Sequence, residues 1–223
     1  AEAVQFLLDG KCGTIIRAKP KEIERKPFEM PKAYWNMDRV KDYLCNVRGI
    51  DEEVIQAFVD KKMIFESLDY HNAVFVGFDK NSVPRHANKR GILKSSTYKG
   101  NAEGSLDEFA FHWIGTNNKL FLFEAPIDML SYISMNPRQW QEHSYVACCG
   151  TSPIPVLQML KPDTQIVYLC LDNDDAGHKA SERMAALLQE RGVDTQRLVP
   201  ELKDWNDDLL HTQKEDLAPC LSL

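Results

Sequence analysis

Two apolar runs in the second half of the chain end in acidic residues, KLFLFE at residues 119–124 and QIVYLCLD at residues 165–172. Their short length and their β-branched and aromatic content are typical of buried strands. A segment with helical periodicity follows each run, PIDMLSYIS at 126–134 and DAGHKASERMAALLQERG at 175–192. This alternation of strands and helices predicts an α/β fold, with a parallel sheet and helices on both faces.

The remainder of the sequence predicts three parts. Residues 118–223 form the α/β domain, residues 37–117 form a smaller α+β domain, and residues 1–36 contain a short helix and a linker rich in Lys, Glu and Pro. Asp51 is the expected N-cap of a helix in the smaller domain. The other predicted elements are helices at 37–47, 153–160 and 204–210, and strands at 73–78, 109–114, 144–149 and 194–199.

Acidic residues stand at the ends of the two quoted strands. Glu124 ends the first strand, with Asp128 one helical turn later, and Asp172 and Asp174 follow the second strand. Ligands of open parallel sheets bind beyond the carboxyl ends of the strands, so these acids are expected to converge. Clustered carboxylates repel each other unless a proton or a hard cation such as Mg²⁺ is shared. The structural alternative is that Asp175 is only a helix N-cap and that Asn173-Asp174 is only a turn.

Charge is unevenly distributed along the chain. The net charge is −6, but residues 1–104 contain 18 Lys and Arg against 15 Asp and Glu, and residues 105–223 contain 9 against 18. A mildly basic half beside an acidic half fits a polyanion track next to a cluster of metal-binding carboxylates. No apolar run approaches the roughly 18 residues that span a membrane, and a cytoplasmic location is the default expectation.

A basic stretch precedes the α/β domain. No Asp or Glu occurs between Asp79 and Glu103, and Arg85, Lys89 and Arg90 lie within this interval. These side chains are candidates for contacts to nucleic-acid phosphates, which position a backbone without reading its sequence. The alternative is an ordinary solvated loop.

The cysteine pattern argues against a zinc site within this sequence. Six cysteines are present, and no two form a C-x-x-C pair. Cys148, Cys149 and Cys170 lie in apolar, strand-like runs, where buried free thiols are common. We expect them to be structural.

The motifs of the second half resemble those of the TOPRIM domain, a module of bacterial primases, topoisomerases and related nucleases. FEAPIDMLS is similar to its E-G-x-x-D motif, LDNDDAGHKA to its D-x-D-x-A-G motif, and KDWNDDL to a primase segment that adds an acid. The turn at Cys149-Gly150-Thr151 has a counterpart in primases. One departure is Ala125-Pro126, where the family usually has Gly after the Glu.

The resemblance implies a Rossmann-like fold and a role for each acid. Glu124 would be the acid nearest the reaction, as general base or metal ligand, and Asp128 would support it in the catalytic site. Asp172 and Asp174 would hold Mg²⁺ or Mn²⁺, and Asp204 is a further candidate ligand.

The upstream sequence also resembles primase segments. YLCNVRGIDEEVIQAF at residues 43–58 is similar to the segment that leads into the catalytic core, and residues 39–112 resemble an uncharacterised domain found ahead of TOPRIM domains in mobile-element proteins. The opening EAVQFLLDG resembles the last helix of the primase zinc-binding domain, so residues 1–36 could include a remnant of that domain.

These resemblances imply a Mg²⁺-dependent, primase-like nucleotidyltransferase. Its expected partners are single-stranded DNA or RNA, nucleoside triphosphates, and helicase or other replication and mobilisation proteins. Two alternatives stay open at this point, a TOPRIM-type phosphodiester hydrolase and a non-catalytic module that binds nucleic acid or nucleotides.

Overall fold

The first part of the fold combines two short helices with an antiparallel sheet. The computed structural model describes residues 26–217, so the predicted helix at residues 1–10 and the first half of the predicted linker at 18–33 lie outside the described residues. The helical segments are α1 (Asp38–Asp42), a π-helical turn (Tyr43–Val47) and α2 (Glu52–Asp60). The strands are β1 (Ile64–Glu66), β2 (Ala73–Phe78), β3 (Pro84–Arg90) and β4 (Lys99–Asn101), and they form a sheet in the order β1-β2-β3-β4.

Helix α2 begins as the sequence predicts. The Asp51 carboxylate accepts hydrogen bonds from the backbone N–H groups of Glu53 and Val54, at 2.8 and 3.2 Å. These bonds satisfy two of the donors that a helix leaves free at its N-terminus. The buried face of α2 carries Val54, Ile55 and Phe58.

The second part is the predicted α/β layer. Its sheet has the order β5-β7-β6-β8-β9, and every pairing is parallel except that of β5 with β7. The predicted strand at 109–114 is shorter than expected, because a 3₁₀ turn occupies Asp107–Phe109. The strands are β5 (His112–Trp113), β6 (Lys119–Phe123), β7 (Ser144–Ala147), β8 (Ile166–Leu169) and β9 (Asp194–Arg197).

Helices cover both faces of this sheet, as the alternation of elements predicts. One face packs α4 and α5 against a core that contains Val156, Met184 and Leu188. The other face shares a continuous core with the antiparallel sheet, through residues such as Phe75 and Phe123. The helices are α3 (Pro126–Met135), α4 (Ile154–Met159), α5 (Asp175–Gln189) and α6 (Trp205–Leu217), with a 3₁₀ turn at Trp140–Glu142.

Hydrogen bonds also join the two parts of the molecule. Asn206 of α6 donates from its side chain to the Arg48 carbonyl and to the Ser131 hydroxyl of α3, at 2.7 and 2.9 Å, and accepts from the Arg48 guanidinium at 3.0 Å. The Ser134 hydroxyl accepts from the backbone N–H of Asp51 at 3.0 Å. These contacts fix the segment between the π-helical turn and α2 against α3 and α6. No helix within residues 26–217 is long and apolar enough to cross a membrane.

Candidate active site at the edge of the parallel sheet

The acids that follow β6 and β8 are brought to one edge of the sheet. The two strands are parallel neighbours, and Glu124 and Asp172 follow their carboxyl ends. Burial, followed by the nearby charges of Glu124, Asp204 and Asp174, raises the pKa of the Asp172 carboxyl to about 7. Such mutual influence requires proximity, so these four acids form one electrostatic cluster.

Asp172 is the most constrained member of the cluster. Its Oδ1 is buried and has no hydrogen-bond partner within residues 26–217. Its backbone carbonyl accepts a hydrogen bond from Nη2 of Arg197 at 2.9 Å, and a Cβ added at Gly177 would lie only 2.2 Å from the same oxygen. The backbone at Asp172 is thus held from two sides while one carboxylate oxygen is left without a partner.

Asp174 combines a structural role with an exposed position. Its side chain accepts a hydrogen bond from the backbone N–H of Gly177 at 2.8 Å, which makes it the N-cap of α5. The prediction of Asp175 as the N-cap is therefore wrong by one residue, because Asp174 caps the helix and Asp175 lies in its first turn. Because the cap uses Oδ1, the other carboxylate oxygen of the exposed side chain is available to a ligand.

Asp128 lies beneath the cluster and is not an exposed ligand. Burial raises its pKa well above the ordinary value, with further increases from Asp172, Asp204 and Glu124, while a hydrogen bond from the backbone of Asn206 acts in the opposite direction. This environment disfavours the charged form of the Asp128 carboxyl group. Asp204 is half-buried and accepts from the backbone N–H of Asp207 at 2.8 Å at the start of α6.

Glu124 faces a cleft between the two parts of the molecule. Burial and then Asp174 raise the pKa of its carboxyl group, whereas Lys99 and Lys203 lower it. The cleft has a volume of about 250 Å³, and its walls include Glu124, Gly150, Arg90 and Lys99. The acid is therefore placed opposite cations supplied by the antiparallel sheet.

The departure at Ala125-Pro126 is accommodated at the start of α3. Ala125 has an extended backbone as the N-cap residue, and Pro126 occupies the first turn, where a missing N–H costs no helical hydrogen bond. The Glu124 carbonyl accepts from the Gly150 N–H at 3.1 Å, so the turn after β7 lies directly beside the acid.

The three basic candidates do not share one surface. They lie on strand β3, so the alternative prediction of a loop at these residues is wrong. Successive side chains of a strand point to opposite faces. Arg90 lines the cleft, Lys89 lines a separate cavity on the other face, and Arg85 makes an ion pair with Asp79 at 2.8 Å.

The chemistry of the acids fits a hard divalent cation, although the geometry is open. Within residues 26–217, no three Asp, Glu, His or Cys side chains are close enough to hold an ion among themselves. Mg²⁺ commonly uses one or two carboxylates and completes its shell with water and substrate phosphates. The partnerless Asp172 oxygen and the exposed Asp174 carboxylate suit such a site.

The predicted structural thiols agree with their surroundings. Cys148 and Cys170 are buried, and burial raises the pKa of both thiols, so they are held in the neutral form. Cys149 lines the cleft with a positive φ of 55°, and burial raises the pKa of its thiol to about 12.

Sequence reasoning missed four residues of the site. Lys99 and Lys203 lower the pKa of Glu124. Arg197 donates a hydrogen bond to the Asp172 carbonyl, and the backbone of Asn206 donates one to Asp128. Lys99 lies in the basic stretch that the sequence analysis singled out, and Lys203 and Asn206 lie in the KDWNDDL motif. No pattern in the sequence indicated Arg197, because its role depends on the position of β9 beside β8.

The parallel sheet and the acid cluster at its edge fit the resemblance to TOPRIM domains, and comparison with known protein families agrees. Residues 121–209 match the Toprim-like family, and residues 42–117 match a family described as a protein of unknown function, DUF3991. The chain thus carries a Toprim-like domain, preceded by a DUF3991 region, on a mixed α/β fold.

Solved structures similar to this chain include primase fragments, and a bacterial protein is similar to it in sequence. The primase fragment of the bacteriophage T7 primase-helicase is 18% identical, with a TM-score of 0.57 over 88% of this chain and 81% of that chain. The Aquifex aeolicus primase is also 18% identical, with a TM-score of 0.56 over 82% of this chain and 55% of that chain. An uncharacterised Bacillus anthracis protein, pXO2-78, is 27% identical over 96% of this chain and 70% of its own length.

Proposed function

We propose that the chain is a Mg²⁺-dependent, primase-like nucleotidyltransferase that acts on single-stranded DNA. The observation that carries the proposal is the convergence of Glu124, Asp172 and Asp174 at one sheet edge, with an Asp172 oxygen that lacks a partner among the described residues. An uncompensated buried carboxylate oxygen is costly, and a bound cation would remove that cost.

Each acid has a role that follows from its environment. Asp172 and Asp174 would hold Mg²⁺ or Mn²⁺, which would supply positive charge at the transferring phosphoryl group. Glu124 faces the cleft with a pKa raised by burial, as suits a group that accepts a proton from an attacking hydroxyl. Asp128, whose pKa is raised by burial, accepts a hydrogen bond from the α6 backbone at Asn206, and Asp204 adds negative charge to the cluster.

The cations across the cleft would contact the phosphates of the substrate. Arg90 and Lys99 are directly paired on β3 and β4, and both line the cleft opposite Glu124. Nε of Arg90 is buried and has no partner within residues 26–217. Guanidinium and ammonium groups in this arrangement suit a nucleoside triphosphate or a nucleic-acid backbone.

The partners of the fold neighbours support the nature of the substrates. One solved primase catalytic domain is bound to single-stranded DNA, with a TM-score of 0.54 to this chain, and T7 primase domains are bound to an RNA/DNA hybrid and dTTP. The T7 protein is a primase-helicase. We therefore expect a helicase or another replication or mobilisation protein as partner, and a cytoplasmic site of action.

The test is synthesis on a single-stranded DNA template with ribonucleoside and deoxyribonucleoside triphosphates, with and without Mg²⁺ or Mn²⁺. We expect product with the wild-type chain and metal, and loss of product with Glu124→Gln. Glu142→Gln is a matched control, because Glu142 is exposed on a 3₁₀ turn outside the acid cluster. It should retain wild-type activity.

Two other results would contradict the proposal in different ways. Metal-dependent shortening of the DNA without synthesis would assign the same carboxylates to a hydrolase. Binding of DNA or nucleotides with neither synthesis nor cleavage, in the presence of a normal metal-induced rise in melting temperature, would assign the chain to the binding modules.

A further inference from the structure

A second cavity lies outside the cleft, at the end of the β3–β4 hairpin. Its volume is about 360 Å³, which is within the range of about 300–1,000 Å³ typical of small-ligand sites. Tyr70, Asn72, Lys89 and Tyr98 contribute the aromatic and polar groups of its wall. None of these residues belongs to the acid cluster.

Tyr70 is presented to solvent by a turn in an uncommon conformation. Tyr70 and His71 both have positive φ, at 62° and 51°, between β1 and β2. This region is unfavourable for bulky side chains, and such strain persists only where the surroundings impose it. Nδ1 of His71 lies 2.6 Å from the carboxylate of buried Glu66, and its ring meets Tyr34 edge-on, so the turn is anchored while Tyr70 stays 86% exposed.

Tyr98 forms the opposite wall together with a cation. The Gly91 N–H donates to the Tyr98 carbonyl at 2.9 Å, and a Cβ at Gly91 would collide with the Ser96 hydroxyl at 2.0 Å, so the 91–98 loop closes tightly. Nζ of Lys89 lies 5.8 Å from the centre of the Tyr98 ring. An aromatic ring and a positive charge are thus held next to each other at the mouth of the cavity.

Asn72 supplies a polar group with unused hydrogen-bonding capacity. The residue is 8% exposed and lines the cavity. Its backbone N–H donates to the Ser67 hydroxyl, but its side-chain amide makes no hydrogen bond to any of residues 26–217. The amide donor and acceptor are therefore left for solvent or a ligand in the cavity that the residue lines.

We propose that this cavity binds a base of the single strand whose phosphates pass through the cleft. Tyr70 and Tyr98 would stack on the base, the Asn72 amide would bond to its edge, and Lys89 would contact the adjoining phosphate. The inference rests on the proposed function, because it uses the same strand and adds a second contact point to it.

The position of the cavity relative to the cleft favours a strand over other ligands. Lys89 pairs with Gly100 on β4, and Gly100 lines the cleft, while a Cβ added to it would lie 3.7 Å from the Tyr98 hydroxyl. One layer of sheet therefore separates the two sites, and Arg90 and Lys99 lie on the cleft side of it. A strand leaving these cations could turn over the hairpin edge and reach the cavity.

The experiment measures binding of a short labelled oligonucleotide by the full chain, with an abasic site placed at each position in turn. For the wild type, one position should depend on its base by at least about fivefold, the lower end of the loss for one stacked base. Tyr98→Ala should weaken binding of the intact strand similarly and abolish the effect of the abasic site. Tyr98→Phe, which keeps the ring, should restore both.

Three further variants make the result specific. Tyr70→Ala should behave like Tyr98→Ala, and Asn72→Ala should reduce the preference among bases at that position while stacking persists. Trp35→Ala is the matched control, because Trp35 is 81% exposed and lines a different cavity. It should bind as the wild type does.

Several outcomes would overturn the inference. An abasic effect that is equal in the wild type and in Tyr98→Ala would show that the base is bound elsewhere. Competition by nucleoside monophosphates, with no abasic effect at any position, would replace the strand with a free nucleotide. Normal binding by both tyrosine variants would show that the cavity does not bind the strand, and its aromatic surface would then be assigned to a protein partner. The experiment measures binding and requires no turnover, so a failure here is distinct from failure of the synthesis test.

Discussion

The parallel sheet brings residues that are distant in the sequence together at its acidic edge. The antiparallel sheet separates adjacent residues on its basic strand. Glu124 and Asp172 are far apart in the sequence, yet β6 and β8 bring them to one edge. Lys89 and Arg90 are adjacent in the sequence, yet their side chains on β3 line two different cavities. Parallel strands with a common direction gather the residues at their ends, whereas the alternation within one strand separates neighbours.

This contrast bears on how the substrate is held. The acids form a single cluster whose members influence the pKa of one another. The cations form two separate sets, one facing Glu124 and one facing the aromatic cavity. Loss of an acid should therefore affect the reaction as a whole, whereas loss of a cation should affect only its own face.

The largest expected effect comes from separating two acids of the cluster. Glu124→Gln should lower turnover by at least about 100-fold, the lower end of the contribution of a general base, while keeping most of the metal-induced rise in melting temperature. Asp172→Asn should lose that rise, because it removes the oxygen without a partner. Steady-state rates and thermal melting with and without Mg²⁺ provide the measurement. Equal loss of metal binding in both variants would contradict the distinction.

The next prediction concerns the close approach that supports Asp172. Gly177→Ala introduces a Cβ that would lie 2.2 Å from the Asp172 carbonyl oxygen. Alanine gains about 0.5–1 kcal/mol in a helix, but overpacking costs about 1–3 kcal/mol, so the free energy of unfolding should decrease. The metal-induced rise in melting temperature should decrease with it.

Gly192→Ala is the matched control for this prediction. Gly192 follows the same helix with a positive φ of 71°, and apart from its chain neighbours no described residue lies within 4 Å of an added Cβ. Its replacement should cost about 1 kcal/mol from backbone strain alone, without changing the response to metal. If both variants lose stability but keep the full metal response, the packing of Gly177 does not position Asp172.

Much of the parallel-sheet region could be predicted from the sequence. The strands β6 and β8 and the helices that follow them were expected within a few residues, because apolar runs and helical periodicity are local signals. The convergence of Glu124 and Asp172 follows from strand order. The raised pKa of Asp128 did not follow, because its burial depends on α6, which lies far along the chain.

The antiparallel region was less predictable. The sequence PRHANKR at 84–90 is polar and lacks the apolar alternation of an ordinary strand, so the loop remained an alternative. Pairing with the buried strand β2 makes it a strand regardless of its own composition. Whether Arg85 is paired with Asp79 also depends on this pairing, because the hairpin turn brings the two side chains together.

A smaller effect is expected from the buried histidine on the cleft side of β3. His86 is fully buried, neither ring nitrogen has a partner among residues 26–217, and burial, with His112 nearby, lowers its pKa to about 4. Below the ordinary histidine pKa, the unfolded chain takes up a proton that the folded chain does not. This residue should therefore cost about 2 kcal/mol of stability by pH 5, and the cost should disappear above neutral pH.

His86→Leu tests this expectation by comparison with the wild type across pH. The variant should lose less stability than the wild type between about pH 7 and pH 5, because it has no proton to take up. Denaturant unfolding at both pH values gives the measurement. Parallel pH profiles for the two proteins would mean that His86 is hydrated or paired in solution.

The smallest effects, and the ones that separate the faces of β3 most directly, come from single replacements of its cations. Each phosphate contact to a single strand contributes about 0.7 to the slope of log affinity against log salt concentration. Arg90→Ala should reduce this slope by about that amount and also lower turnover, because Arg90 lines the cleft with Glu124. Lys89→Ala should reduce the slope similarly but leave turnover nearly unchanged, because it faces the other cavity. Arg85→Ala should change neither, since its ion pair with Asp79 already occupies the side chain.

Binding isotherms over a range of salt concentrations, beside the rates, give both quantities. If all three variants reduced the slope equally, the nucleic acid would have to contact all three side chains from one side of β3. The alternation of side chains along β3 does not allow this.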